Sequence, residues 1–184
     1  MSSTVQQRVL NSVAGLPTEI GFYFAGMEEV REQLREAVEG MSDEHVCRPA
    51  LPGAHAIGAL VLHIGEAEWY WMEMVISGHV LNDDDRRAPC WDVLVDPESF
   101  PAKNYSAAFC LNEIQKIRQQ TRQKLASFAD SDLERVFAIE KRGKIFEHSL
   151  RWILHHLIDH EAQHKGQILM LKRLQGLKNV DLFT

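Results

Sequence analysis

Paired cysteines are missing from this sequence. Its three cysteines, Cys47, Cys90 and Cys110, are widely spaced and odd in number, and no Cys-x-x-Cys pair occurs. This pattern excludes a disulfide framework and a cysteine-based zinc site. It fits a protein of the reducing cytoplasm, which is where we expect this one to reside.

The sequence also lacks an excess of positive charge and any long hydrophobic run. Its 20 Lys and Arg residues are outnumbered by 26 Asp and Glu residues, which gives a formal net charge of −6. Because no basic block is present either, a nucleic-acid-binding surface is not expected. No apolar run is long enough to cross a bilayer, and the N-terminus lacks the apolar core of a signal peptide. We expect a single domain over residues 1–184, long enough to form a full hydrophobic core.

Strand patterns are scarce, whereas apolar residues recur every three and four residues in four long segments. These segments predict helices over residues 17–40, 55–77, 104–128 and 146–176. Four long amphipathic helices without strong strands predict an all-α protein, built as a four-helix bundle with long connecting loops. Bundle cores are natural metal sites, because side chains from facing helices converge there.

The connections and the first helix carry further expectations. Residues 78–103 show no helical period, and their three aspartates at 83–85 lack the spacing of a calcium-binding loop, so we expect a solvated acidic loop. Residues 136–148 are expected to be extended or irregular, with a turn at 142–143. Most charged residues of the first helix, among them Arg31, are assigned to its solvated face.

Nine histidines are present, and their clustering indicates a metal site. In the last predicted helix His156, His160 and His164 follow one another at intervals of four, which stacks them on one face with Cβ atoms about 5–6 Å apart. Two imidazoles at that distance can reach one metal ion, and a third ligand has to come from another helix. His63, in the apolar half of the second predicted helix, is the candidate. Taken alone, such a histidine is more often a core residue whose ring nitrogens have hydrogen-bond partners.

Three neutral histidines without a fourth protein ligand leave one coordination position open, as in catalytic zinc sites. A divalent ion there can lower the pKa of bound water, polarise an oxygen or hold a thiolate. Imidazole suits zinc, nickel, iron and copper alike, and availability favours zinc. The competing interpretation is a plain helical bundle in which the histidines are only packed, but three buried imidazoles would then need other partners.

Helical phase selects the residues that could assist the metal. Glu66 and Gln167 each follow a candidate ligand by three residues on nearly the same face, and we predict them as the catalytic residues, orienting a ligand or the substrate. Asp159 and Glu161 are less well aimed and are assigned to surface or interhelix charges. Gly166 is assigned to close packing. Structural or surface roles are assigned to four other histidines: His45, His79, His148 and His155.

Two segments resemble motifs of the DinB/YfiT-like superfamily. Residues 160–167, His-Glu-Ala-Gln-His-Lys-Gly-Gln, are similar to its His-x-x-x-His-Arg/Lys-Gly-Gln signature. Residues 52–63, Pro-Gly-Ala-His-Ala-Ile-Gly-Ala-Leu-Val-Leu-His, resemble its second-helix motif, in which a Pro-Gly turn precedes an apolar helix with one ligand histidine. Lys165 stands where arginine is common. Ala54 and His55 replace the small hydroxyl residue that often begins this helix.

The resemblance implies an up-down-down-up bundle that binds a divalent metal ion through His63, His160 and His164 and that forms homodimers. His156 lines the same face but is not an expected ligand. Zinc is the expected metal, with nickel or iron as alternatives. The implied activity is that of a thiol S-transferase acting on a small molecule, with a low-molecular-weight thiol such as bacillithiol or mycothiol held by the metal as a thiolate nucleophile. Two alternatives stay open: a hydrolase that uses metal-bound hydroxide, and a non-catalytic metal-binding stress protein.

Overall fold

Four long helices form the body of the protein in a computed structural model that describes residues 7–96 and 99–178. They are α1 (Thr18–Val38), α3 (Ile57–Trp69), α5 (Ala107–Leu125) and α6 (Leu150–Leu174). Shorter helical elements join or extend them: α2 (Asp43–Cys47), a π-helix that continues α3 (Tyr70–Ile76), α4 (Asp83–Arg86) and two 3-10 helices (Phe100–Lys103 and Asp130–Glu134). A hairpin of β1 (Val136–Lys141) and β2 (Lys144–Ser149) leads into α6.

The long helices run up, down, down and up. Helices α1 and α6 are parallel, α3 and α5 are parallel, and α3 runs antiparallel to α6. Two contacts along each pair establish these directions. For α1 and α6 they are Glu19–Arg151 and Ala37–Lys172, and for α3 and α5 they are Gly65–Ile114 and Glu73–Lys124. For α3 and α6 they are His63–His164 and Trp71–Trp152. The prediction of a four-helix bundle is therefore confirmed. Among the described helices, none combines the length and hydropathy that a membrane span requires.

Serine hydroxyls cap the N-termini of two of the long helices, α5 and α6. The Ser106 hydroxyl accepts a hydrogen bond from the backbone N–H of Phe109 at 3.1 Å, and the Ser149 hydroxyl accepts one from Trp152 at 3.2 Å. Each satisfies one of the backbone donors that a helix start leaves without an intrahelical partner. Helix α3 begins after Ala56, which makes no side-chain cap. Burial of its apolar surface therefore has to hold this helix in place.

The β-hairpin closes through a two-residue turn. Arg142 and Gly143 have φ angles of 54° and 70°, and Lys141 pairs with Lys144 across them. Positive φ at both central residues is typical of the turn whose twist matches that of paired strands. The expected extended segment with a turn at 142–143 is thus confirmed. Residues 78–103 were expected to form a solvated acidic loop, and Asp83 and Asp84 are indeed exposed. The segment also contains the short helix α4, which Asn82 caps with its side chain, and the 3-10 helix Phe100–Lys103.

Two apolar clusters fill the core, one towards each end of the bundle. The first includes Leu34, Ile57, Leu62, Ile114 and Ile168, and the second includes Ile20, Met27, Leu125, Leu150 and Ile153. Each long helix contributes residues to both clusters, α3 together with the π-helix that continues it. Between the two sets on each helix lies one buried charged residue: Arg31, Glu68, Arg118 or Glu161. The assignment of Arg31 to a solvated face is wrong, since only 5% of this residue is exposed.

Candidate metal centre

Helix α6 presents two imidazoles side by side. His160 and His164 are one turn apart, so their rings lie on neighbouring parts of one helix face. Their ring centroids are 4.4 Å apart and their Nε2 atoms are 3.2 Å apart. Two nitrogens bound to a single tetrahedral zinc ion at about 2.0–2.1 Å would be about 3.3–3.4 Å apart. The spacing of this pair therefore fits shared coordination of one ion.

Helix α3 brings a third imidazole to the same place. The ring centroid of His63 lies 5.2 Å from that of His160 and 5.0 Å from that of His164. One ring nitrogen from each of the three residues lies within 4.8 Å of the others. The structure thus brings the three predicted ligands together, and a short inward movement would seat them on one ion. All three are partly buried, and the His63 side chain keeps 26% of its surface exposed.

Two of the rings are held through their second nitrogen. Nδ1 of His63 is 3.0 Å from Oε2 of Glu66, and Nδ1 of His164 is 2.8 Å from Oε1 of Gln167. Each oxygen accepts a hydrogen bond when the ring carries its proton on Nδ1, which leaves Nε2 as the free nitrogen. Metal-bound histidines are oriented by outer partners of this kind. Glu66 and Gln167 therefore lie where they can orient ligands, and a direct catalytic role for either stays a prediction.

The carboxylate of Glu66 also ties the α3 side of the site to the long connection. Its Oε1 accepts a hydrogen bond of 2.8 Å from the backbone N–H of Asp92. Asp92 has a φ angle of 51°, a left-handed conformation that a residue other than glycine adopts at some cost. The connection thus does more than cover the bundle, because it fixes the carboxylate that holds His63.

Electrostatics keep two of these rings neutral. Burial lowers the pKa of His160 to about 3, with further lowering by the nearby His164 and His63. Burial also lowers the pKa of His164, against the opposing effect of its hydrogen bond to Gln167. Neutral imidazole is the form that binds metal ions, so these rings need not lose a proton to do so at pH 7.

A strip of stacked rings continues from the histidines along α6 towards its N-terminus. Trp152 stacks between two imidazoles, with ring centroids 4.2 Å from His148 and 4.8 Å from His156. Trp71 meets all three rings edge to face. His156 in turn lies 5.8 Å from His160, so the strip reaches the candidate metal site. The assignment of His148 to a structural role agrees with this packing.

A buried group of four charges lies beside the site, and sequence reasoning singled out only part of it. Arg31 donates to Glu161 at 2.5 Å and to Glu68 at 3.0 Å, and Arg118 donates to the same two carboxylates at 2.9 and 2.8 Å. Burial raises the pKa of Glu68, but the two guanidinium groups outweigh it and lower the pKa overall. The sequence did contain a signal, because Glu68 and Glu161 each follow an apolar residue, Ile64 or Leu157, by four positions and therefore share its helix face.

Two smaller assignments can also be tested against the structure. Glu161 was expected to be a surface or interhelix charge, and the buried ion pairs make it an interhelix charge. The assignment of Gly166 to close packing is wrong, because the residue is exposed and a Cβ built on it would contact nothing within 4 Å. The motif glycine therefore has no steric explanation in the described part of the chain.

Comparison with known proteins places this arrangement in a family. Residues 24–175 match the family model described as mycothiol S-transferase. The chain belongs to the mycothiol S-transferase family. The match includes all three histidines and both of their hydrogen-bond partners, and it supports the resemblance to the DinB/YfiT-like superfamily. No curated protein matches the sequence significantly.

Two solved structures share the fold of this mycothiol S-transferase family member. A DinB-like protein from Bacillus cereus ATCC 10987 has a TM-score of 0.60 at 18% identity, over 87% of this chain and 95% of that chain. YfiT from Bacillus subtilis, described as a probable metal-dependent hydrolase with an unusual four-helix bundle topology, has a TM-score of 0.55 at 18% identity. That likeness covers 86% of this chain and 89% of YfiT. At this identity both similarities show the fold alone.

Proposed function

We propose that this protein is a divalent-metal-dependent thiol S-transferase that uses a low-molecular-weight thiol. One observation carries the proposal: three imidazole nitrogens lie within 4.8 Å of one another in a chain of the mycothiol S-transferase family. His63, His160 and His164 are the proposed ligands. Zinc is the proposed metal, with nickel or iron as alternatives, because imidazole binds all three.

Within this proposal the outer residues hold the ligands in a fixed tautomer. Glu66 and Gln167 accept the Nδ1 protons of His63 and His164, so that both Nε2 lone pairs face the metal position. The Asp92 amide keeps Glu66 from rotating away. None of these groups needs to exchange a proton during the reaction, so we propose them as positioning residues.

The chemistry requires a free coordination position and a small electrophile. A divalent ion bound by three histidines would lower the pKa of a thiol in the fourth position and supply a thiolate at neutral pH. Overall, the thiol sulfur forms a bond to an electrophilic carbon, the leaving group departs with its bonding electrons, and the thiol proton passes to solvent. The partly exposed edge of His63 leaves a route by which both molecules can approach.

Hydrolysis is the second candidate function. The same free position could hold water and lower its pKa, which is how three-histidine zinc sites generate a nucleophile. The description of YfiT as a probable metal-dependent hydrolase favours this alternative, since the two proteins share a fold. A non-catalytic metal-binding role is the third reading, and it predicts a loaded metal without turnover of either substrate class.

Cobalt substitution separates the two enzymatic functions. The protein is purified without a histidine tag, its metal content is measured, and cobalt is exchanged into the site. Adding mycothiol should produce a sulfur-to-cobalt charge-transfer band, because the thiol occupies the free position. Absence of the band with mycothiol, bacillithiol and cysteine alike would contradict the thiol-transfer proposal. Absence of any stoichiometric metal would contradict both enzymatic functions.

Turnover then identifies the reaction class. Zinc-loaded protein is incubated with mycothiol and a panel of alkyl halide electrophiles, and in parallel with a panel of esters and amides without thiol. Formation of S-conjugates supports transfer, and thiol-independent hydrolysis supports the second candidate. Activity with neither panel would favour the non-catalytic role.

A homodimer in the cytoplasm also belongs to this proposal. The resemblance implies the dimer, and the three cysteines are buried and free, as a reducing compartment allows. Analytical ultracentrifugation over a range of concentrations tests the dimer directly. A monomer throughout that range would remove it from the proposal without affecting the metal centre.

A further inference from the structure

A small cavity lies next to the candidate metal centre, and Glu66, the carboxylate that holds His63, is one of its lining residues. Its volume is about 180 Å³, and helices α3, α4 and α5 and the connection after α4 form its walls. Ligand sites for drug-sized molecules occupy roughly 300–1,000 Å³, so this one suits a more compact ligand. We call it the Trp69–Trp91 pocket, and the side chains that matter to its chemistry are Glu66, Trp69, Asp85, Trp91, Glu113 and Lys116.

Two tryptophans form adjacent walls of the pocket. The rings of Trp69 and Trp91 are nearly perpendicular, at 82°, with centroids 5.9 Å apart. His79 meets Trp69 from a further side, at 5.6 Å and also at 82°. Two indoles at right angles enclose a corner in which a ligand can contact both. Aromatic corners of this kind attract cations, because the ring faces carry negative electrostatic potential.

The charges around the pocket are mostly negative. Glu66, Asp85 and Glu113 line it, and Lys116 is the one cationic side chain among the described residues that line it. Lys116 is already paired with Glu113 at 2.5 Å. Asp85 is bonded to His79 at 2.7 Å, and the hydrogen bond lowers the pKa of Asp85, which keeps this carboxylate ionised. The lining therefore carries a net negative charge that would repel an anion.

Cys90 also lines the pocket, and its thiol is unreactive. Burial raises the pKa of the Cys90 thiol to about 12, so it is neither charged nor nucleophilic at pH 7. The pocket thus combines an apolar aromatic corner with three carboxylates, whose negative charge exceeds that of the one cationic side chain among the described lining residues. Aromatic side chains together with carboxylates are the chemistry that recognises alkylammonium groups.

We propose that the Trp69–Trp91 pocket binds a small organic cation, an alkylamine or quaternary ammonium compound. We also propose that binding of this cation changes the environment of His63. Cation binding here does not depend on the proposed transferase chemistry, although Glu66 belongs to both sites. Its aromatic walls select the alkyl groups, and its carboxylates select the positive charge.

The link to the metal centre follows from one shared segment. Trp91 forms a wall of the pocket, and the next residue, Asp92, donates its amide to Glu66. The other oxygen of Glu66 holds Nδ1 of His63 at 3.0 Å. A cation seated beside Glu66 draws on the same carboxylate and displaces the same loop segment. Such coupling is reciprocal, so a change at His63 would alter cation affinity equally.

Calorimetric titration of the metal-free, full-length protein tests the binding site. Choline is the probe, and 3,3-dimethylbutan-1-ol is its uncharged counterpart of the same shape. We expect choline to bind at least about tenfold more tightly, because only choline gains from the carboxylates and the indole faces. Equal affinities would show a merely apolar pocket and overturn the proposal, as would binding of neither compound.

Matched variants locate the binding. Trp91→Leu should weaken choline binding about tenfold or more, whereas Trp152→Leu should leave it unchanged, because Trp152 lies on α6 and is not a lining residue of the pocket. Glu113→Gln keeps the side-chain volume and should weaken choline severalfold while leaving 3,3-dimethylbutan-1-ol unaffected. Equal loss in the Trp91 and Trp152 variants, or no loss with Glu113→Gln, would overturn the assignment to this pocket.

Nuclear magnetic resonance of the histidine ring nitrogens tests the link. Choline added to metal-free, ¹⁵N-labelled protein should shift the Nδ1 resonance of His63 with the same saturation curve that calorimetry gives. His148, which has no contact with Glu66 among the described residues, is the internal control. A His63 resonance that stays fixed while choline binds would overturn the coupling.

Discussion

At the residue scale, short-range spacing carried most of the information about the site. The intervals of three and four residues place His160, His164 and Gln167 on one face of α6 in any helix, so their mutual contacts could be predicted. The same holds for Glu66 beside His63. What spacing could not predict is that α3 delivers His63 to that face, because this depends on how two antiparallel helices pack. The resemblance supplied that step, and the structure brings the rings together.

Removing an α6 histidine should abolish metal binding. In His160→Ala or His164→Ala only two imidazoles remain, and we expect the metal bound per chain to fall close to zero after dialysis. His156→Ala is the matched control, since it removes an imidazole from the same helix face but outside the trio. Elemental analysis of protein purified without a tag makes the measurement. Equal metal loss from all three variants would contradict the ligand assignment.

Removing an outer partner should weaken the metal without destroying the site. In Gln167→Leu or Glu66→Leu a ligand histidine loses the oxygen that fixes its Nδ1 proton, and we expect zinc affinity to fall about 10–100-fold. Gln163→Leu on α6 is the control, because this amide bonds to Asp159 and not to a ligand. Competition with a chromophoric chelator gives the affinities. Unchanged zinc affinity in Gln167→Leu would show that the contact between Gln167 and His164 does not contribute to metal binding.

At the element scale, the structure departs from the sequence pattern where charges face inwards. Charged side chains on an amphipathic helix are usually solvated, so the pattern assigned Arg31 outwards and gave no role to Arg118. Both are buried because each pairs with carboxylates from other helices, Arg31 with two and Arg118 with three, and such pairing depends on long-range contacts that no single helix reveals. The loop helix α4 was missed for a related reason, since it is held by the cap at Asn82 rather than by an apolar stripe.

Breaking the buried charge group should be costly. Glu68→Leu leaves Arg31 and Arg118 each without one carboxylate in the interior, and we expect the free energy of unfolding to fall by about 3–5 kcal/mol. Glu44→Leu is the control, since its pair with Arg48 is exposed and such pairs contribute little. Urea unfolding of the metal-free proteins compares the variants. A loss no larger than that of the control would mean that water or another group compensates the arginines.

At the scale of the whole molecule, the helix bundle was the most predictable feature and its polar middle the least. Periodicity placed the four long helices, and the resemblance implied their up-down-down-up order. The layer formed by Arg31, Glu68, Arg118 and Glu161 divides the apolar core and links all four helices, so it also fixes how α3 meets α6. Buried ionic groups of this kind can favour one packing arrangement over others, which here would be the one that brings the histidines together.

Stability of the metal-free protein should fall as the solution is acidified. The pKa of His160 is about 3 in the folded chain, against an ordinary value of 6.5. Between pH 6.5 and pH 3 this histidine is therefore protonated in the unfolded chain but not in the folded chain, which favours unfolding. Its contribution to stability is complete above pH 6.5 and is lost progressively below it. Glu68, whose pKa is lowered from 4.5, adds a loss in the same direction at more acidic pH.

Urea midpoints measured between pH 8 and pH 5 should therefore decline on the acidic side of this range. His160→Gln should show a shallower decline, because it removes the imidazole whose pKa burial lowers from 6.5 to about 3. A midpoint that rises towards pH 5, or an identical decline in the variant, would contradict a neutral buried His160.

Trp152, which stacks between two imidazoles, lies close enough to the candidate metal site for its fluorescence to report metal binding. The indole lies one ring, His156, away from the proposed ligand His160, with centroid separations of 4.8 Å and 5.8 Å along the way. A paramagnetic ion such as nickel or cobalt at the three histidines would quench the fluorescence of so close an indole. Emission should consequently dim in proportion to the fraction of sites filled, and Trp152→Phe should lose much of that signal while still taking up the ion.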